Sequence, residues 1–175
     1  MNLSAACVCV RDSSSVDLLL MRHGIAAERV CGRDHPDRPL TDRGIQRTLE
    51  VVRQLRMRDV LADALISSPY RRSRQTAELA IQAGLAKSIC LDSALEPGGD
   101  PWPLVSRLSG CCLLVGHEPD LSTLAATLIG APAGSLRLRK AGCCHLSWPA
   151  GLSDPRGQAE LQALLRPRLL LPRSV

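Results

Sequence analysis

Short apolar runs alternate with amphipathic stretches along this chain, and the alternation sets the element order. Residues 17–21 (DLLLM) are apolar without a break after the first position, which marks a strand covered on both faces. A polar loop rich in Asp, Arg and Pro follows over 28–39. PLTDRG then opens a helix, with Thr41 as N-cap and Ile45, Leu49, Val52 and Leu55 along one face. DALISS (63–68) reads as a second strand, and PYRRSRQTAELAIQAG as its helix, bounded by Pro69 and Gly84. SICLD (88–92) is a third, shorter strand, and a short helix follows Pro101. CCLLVG (111–116) is a fourth strand, followed by a helix over about 119–128. LRLRKAGCCHLSW (136–148) reads as two strand segments joined near Ala141 and Gly142. AELQALL fits a strand or a helix by periodicity, and the closing Pro167 favours the strand.

Strand and helix in alternation imply an α/β fold with a mostly parallel central sheet and helices on both faces. The length, 175 residues, suits one domain able to bury roughly two-thirds of its unfolded surface. No repeat, linker or low-complexity tract divides it, so residues 16–175 are expected to form the domain behind a loosely ordered leader over 1–15. In such sheets ligands bind beyond the carboxyl ends of the strands.

Composition narrows the classes. Trp102, Trp148 and Tyr70 are the only aromatic residues, so the core must rest on aliphatic side chains and Cys, and a base-stacking surface is disfavoured. The net charge of +5 is carried by arginines spread along the chain, with Lys only at 87 and 140. No compact basic block points to nucleic acid, and dispersed guanidinium forks suit phosphate. The eight cysteines contain no C-x-x-C pair. Adjacent pairs at 111–112 and 143–144 point to opposite faces of a strand, which favours buried thiols in a reducing compartment over disulfides or zinc. The start lacks a basic n-region, and no apolar segment reaches the ~18 residues of a membrane span, so a cytoplasmic protein with no membrane partner is expected.

Three strand ends carry the same chemistry. The first ends in Arg22–His23–Gly24, the second leads through SSPYRRSRQT with Arg71 and Arg72, and the fourth ends in Gly116–His117. Each alone has an ordinary explanation: a structural histidine, a solvated arginine pair, a helix start. In a parallel sheet all three face one rim, and two open helices whose N-termini favour anions. Together they describe a pocket for a phosphoryl group.

R-H-G, PLT-x-x-G (39–44), SSP-x-x-R-x-x-Q-T (67–76) and VGHEPDL (115–121) resemble the histidine phosphatase superfamily, and within it the SixA-type phosphohistidine phosphatases. The likeness runs from about residue 17 to 170. It implies the three-layer α/β/α sandwich shared with phosphoglycerate mutases and a covalent phospho-His23 intermediate. Arg22 would bind phosphate beside it. The S-P-x-x-R spacing selects Arg72 rather than Arg71 as the second phosphate-binding arginine, and His117 would donate to a phosphoryl oxygen. No metal or other cofactor is implied. Relatives that cleave esters use an acid from a loop after the second helix, where Glu96 and Asp100 stand; a P–N bond leaves more easily, so a SixA-type enzyme can manage without one. Glu118 is read as a cap of the next helix, His35 as a loop residue and His145 as structural.

The expected function is therefore removal of phosphate from a phosphohistidine-bearing protein, with the oligomeric state left open. A small-molecule phosphomonoesterase using Glu96, and a non-catalytic phosphate or phosphoprotein binder, are the alternatives. Phosphoglycerate mutase activity is disfavoured because the chain is too short for large lid insertions.

Overall fold

A computed structural model describes residues 14–29 and 31–171. Six strands form one sheet in the order β3-β2-β4-β1-β5-β6: β1 Ser15–Arg22, β2 Ala64–Ser67, β3 Ile89–Leu91, β4 Cys111–Gly116, β5 Cys143–Pro149 and β6 Glu160–Leu165. The first four are mutually parallel, and β5 joins the far side of β1 antiparallel, as β6 does to β5. The fold is the expected α/β sandwich. Ser15 is already the first residue of β1, so the strand begins inside the expected leader; residues 1–13, with Cys7 and Cys9, lie outside the described residues.

The central strand explains its own apolarity. Leu18 and Leu20 pack into a cluster with Leu121, Leu124 and Leu128 of α4 (Asp120–Leu128) and Leu104 of α3 (Trp102–Val105). Leu19 and Met21, pointing the other way, join Val51, Val52 and Leu55 of α1 (Asp42–Arg56) and Ala77 and Ala80 of α2 (Arg71–Gln82). Each such leucine, removed from water, contributes about 2 kcal/mol before entropy is counted. Thr41 caps α1 as expected, its Oγ1 accepting from Gly44 N. The buried stripe of α1 runs through Gly44, Thr48, Val51, Val52 and Leu55, with Ile45 and Leu49 at its margin. A one-turn α5, Pro167–Leu170, follows β6.

Two expectations need correction. Residues 136–140 form no strand, because both edges of β1 are already paired, by β4 and β5. Leu138 instead drops into the core, and the chain turns at Ala141, whose φ is +58° and whose N–H donates to the Arg22 and His23 carbonyls. Cysteine burial is also only partial: Cys112, Cys143 and Cys144 are buried, but Cys31 and Cys90 are exposed. Cys143 and Cys144 do enter opposite core clusters, as alternation along a strand requires.

Candidate active site

Register brings the site together. Arg22 lies beside Gly116 in the β1–β4 ladder, and His23 N donates to Gly116 O at 3.1 Å. His23 and His117 therefore leave the sheet as neighbours, their ring centroids 5.2 Å apart. On the other side of β4, Ser68 N donates to Val115 O at 2.9 Å, so the turn into α2 starts at the same rim.

Arg72, in the first turn of α2, is 1% exposed and sits between the two imidazoles. Its Nε donates to His23 Nε2 at 3.3 Å, and its Nη2 reaches His117 Nδ1 at 3.2 Å and Asp34 Oδ2 at 2.7 Å. A guanidinium only donates, so both of those ring nitrogens must accept. His23 therefore carries its proton on Nδ1, which donates to Gly24 O at 2.8 Å. His117 carries its proton on Nε2, facing the hydroxyls of Ser68 at 2.9 Å and Ser73 at 3.3 Å.

Both rings are held neutral. Burial, and after it the neighbouring His117, pushes the His23 pKa down to about 3. Burial, and after it the Arg72 charge, takes His117 to about 3. Burial pushes Asp34 upward, but the Arg38 hydrogen bond and the Arg72 charge outweigh it and hold that carboxyl below its usual range.

The rest of the S-S-P-x-x-R-x-x-Q-T stretch fastens the site from behind. Thr76 Oγ1 accepts from Gly24 N at 3.0 Å and donates to Arg72 O at 2.8 Å. Gln75 Oε1 accepts from Leu40 N at 2.7 Å. The R-H-G turn, the P-L-T turn and α2 thus share hydrogen bonds at Gly24 and Leu40.

A cavity of about 500 Å³ opens over these groups, and Arg22, His23, Arg72 and His117 all line it. Glu96 does not line it, although its neighbour Pro97 does; three other carboxylates, Glu28, Asp34 and Glu118, do. Glu118 Oε2 accepts from Ser122 Oγ in the first turn of α4; this is not the expected cap, because the helix has no side-chain cap hydrogen bond and Pro119 stands at its N-cap. His35 supplies its carbonyl to Arg72 Nη1 at 3.1 Å while its ring is exposed beside Asp37, and His145 pairs with Asp17 at 2.8 Å on the sheet. Asp34, Ser68, Ser73 and Lys140 are site residues that the sequence reading did not assign. Ser73 and Thr76 could have been found from the helical spacing that follows Arg72; Asp34 gives no signal in a polar loop.

A buried neutral imidazole whose unprotonated nitrogen is held by a guanidinium, at the carboxyl rim of a parallel sheet, is the equipment of a phosphoryl-transfer protein. The chain belongs to the histidine phosphatase superfamily. The description of its branch 1 matches residues 18–96. An uncharacterized protein of Picosynechococcus sp. is 34% identical over 165 residues, which is 90% of this chain and all of that one. Among solved structures, the protein histidine phosphatase SixA complexed with tungstate superposes with a TM-score of 0.74 at 23% identity, over 89% of this chain and 99% of that one. A phosphoserine phosphatase mutant of Entamoeba histolytica in complex with phosphoserine gives 0.65 at 19%, over 89% and 100%. The alpha-ribazole phosphatase of Shigella flexneri gives 0.64 at 21%, over 86% and 96%. The superfamily makes this chain a phosphatase, a hydrolase of phosphoryl groups. Among the described residues no helix is long and apolar enough to cross a membrane.

Proposed function

We propose that the chain removes phosphate from a phosphohistidine on another protein, through a phosphoryl group carried on His23 Nε2. The observation behind this reading is the fixed tautomer: Nδ1–H is tied to Gly24 O, and the Nε2 lone pair faces Arg72 in the cavity. In the first step that lone pair forms a P–N bond to the incoming phosphorus. The substrate's own P–N bond breaks, and its electron pair returns to the departing imidazole. Water then attacks the phosphoenzyme, releasing inorganic phosphate and restoring neutral His23.

Arg22 and Arg72 carry the charge of the transferring group. His117 can donate to a phosphoryl oxygen once its proton moves to Nδ1. The Ser68 and Ser73 hydroxyls allow this, because either can donate to Nε2 as readily as accept from it. The phosphohistidine reading is supported by the cavity's lack of Glu96, the acid that an ester substrate would call on. A phosphate ester is the second reading, favoured by the carboxylate of Glu118 in the same cavity.

The test compares phosphate release from a phosphohistidine-bearing protein domain and from a generic phosphate ester, with His23→Ala beside the wild type. Faster release from phosphohistidine, abolished in the variant, is expected. Faster ester hydrolysis would move the assignment to the second reading, and activity that survives His23→Ala would end the mechanism.

A further inference from the structure

A second cavity, of about 550 Å³, shares Arg22 and Lys140 with the catalytic one. Its charged lining is wholly basic. Arg137, Arg139 and Lys140 come from the irregular segment before β5, Arg166 and Arg168 from the start of α5, and Arg47 from α1. None of these six forms an ion pair with a described carboxylate. Two of them repel Arg22, and Arg22 in turn repels Lys140. Burial, and behind it the charges of Arg137 and Arg139 working against that of Glu118, lowers the Arg22 pKa. Burial, then Arg22 and Arg38, lowers that of Lys140.

An unneutralised cluster of this size attracts anions, and Arg22, shared by the two cavities, adds an unpaired donor at its border. Its Nη1 is committed to Leu138 O at 3.1 Å, but its Nε is buried with no partner. A buried donor without an acceptor costs free energy that a ligand can recover.

The lining also limits what that ligand is. Ile25 and Pro167 are its only apolar members and no aromatic ring faces it, so nothing offers a base or an apolar group a platform. The volume exceeds what one phosphate fills, and the cations are spread over three elements. Arg137, Arg139, Lys140 and Arg168 are exposed and can be reached by a macromolecule's surface. Several carboxylates spaced along a polypeptide meet these conditions, each matched by a guanidinium fork.

We propose that this basic cavity docks an acidic segment of the phosphoprotein substrate, seating its Asp and Glu side chains while the phosphorylated residue enters the neighbouring catalytic cavity. The inference rests on the protein-substrate reading above. It accounts for an otherwise unexplained concentration of charge on one side of Arg22.

The test uses a deca-glutamate peptide without phosphate, titrated calorimetrically into the wild type, Arg137→Gln/Arg168→Gln and Arg137→Lys/Arg168→Lys. Both positions are exposed and outside the catalytic cavity. Kinetics on an acidic phosphohistidine-bearing protein and on phosphoramidate run in parallel. The peptide is expected to bind the wild type, about tenfold more weakly to the Gln pair, and near wild-type strength to the Lys pair. KM for the phosphoprotein should rise by a similar factor, with kcat and the phosphoramidate constants unchanged. Equal peptide binding by all three proteins overturns the proposal. Binding of inorganic tripolyphosphate but not of the peptide also overturns it, in favour of a small polyanion. Peptide binding lost in the Gln pair, in a protein that releases no phosphate from phosphohistidine, leaves the acidic-segment site standing and removes the substrate reading instead.

Discussion

Arg72 donates from Nε to Nε2 of His23 across 3.3 Å, and in the proposed mechanism that contact decides which imidazole nitrogen attacks. With Nδ1–H given to Gly24 O, the ring cannot turn its lone pair away from the cavity without losing both hydrogen bonds. One guanidinium thus orients His23 and touches His117, and on the proposed reading it also meets the phosphoryl group. A lysine at this place keeps the charge but not the geometry, because an ammonium is a point charge without the planar fork. Arg72→Lys should therefore fold, yet lose about 10²–10³ in kcat/KM. Steady-state kinetics beside a thermal unfolding scan checks this; a loss below tenfold would show that Arg72 supplies charge alone.

The two buried histidines should make stability depend on pH. In the folded chain both titrate near 3, against about 6.5 when unfolded. Between those values the unfolded chain binds more protons, so stability is complete above about pH 6.5 and is lost as pH falls toward 3, at about 1.4 kcal/mol per pH unit for each histidine. Urea unfolding at about pH 7 and pH 5.5 should differ by roughly 2–3 kcal/mol for the pair. His23→Gln should halve the difference. Equal stability at the two pH values would mean that the rings are not held neutral by burial.

Asp34 occupies one nitrogen of Arg72. Its Oδ2 lies 2.7 Å from Arg72 Nη2, while Oδ1 holds Arg38 at 2.6 Å. An incoming phosphoryl group must share or displace that carboxylate. In Asp34→Asn the competing contact loses its charge and roughly half its strength. Inhibition by inorganic phosphate should become several-fold tighter, about 1 kcal/mol in binding. A Ki that is unchanged or weaker would show instead that Asp34 positions Arg72 for the ligand.

The sequence made the sheet and three of its rim groups legible for a physical reason. Doubly buried strands such as β1 and β4 carry unbroken apolar runs, over 18–21 and 111–115, and strand ends in a parallel sheet point the same way, so Arg22, His23 and His117 could be placed without coordinates. Arg72 came from motif spacing, and the structure shows what the spacing does: positions 72, 75 and 76 reach the histidines, Leu40 N and Gly24 N from one helix. Residues 136–140 alternate Leu and Arg as a strand does, but β1 beside them is already paired on both sides. The basic cavity was invisible for a related reason. Its arginines are dispersed over positions 47, 137, 139, 166 and 168, and only folding brings them together.

The glycines of R-H-G and PLT-x-x-G answer to different obstacles. A Cβ on Gly44 would collide with the backbone carbonyl of Ile25, with its carbon 2.9 Å away, at the point where Thr41 N also donates to that oxygen. Helix α1 is thus seated directly on the chain leaving His23, and the backbone there has nowhere to move. A Cβ on Gly24 would meet side chains instead, Thr48 Oγ1 and, at 3.2 Å, Leu40 Cδ2. Gly44→Ala should cost about 2–4 kcal/mol, as overpacking against fixed backbone does. Gly24→Ala should cost less, and Thr48→Ala should rescue it in the double variant, because that change removes the obstructing hydroxyl. Thr48→Ala can do nothing for Gly44→Ala. Urea unfolding of the five proteins, wild type included, reads the difference directly. Rescue of both glycine variants, or of neither, would mean that α1 can shift as a body and that its docking on Ile25 does not set the position of His23.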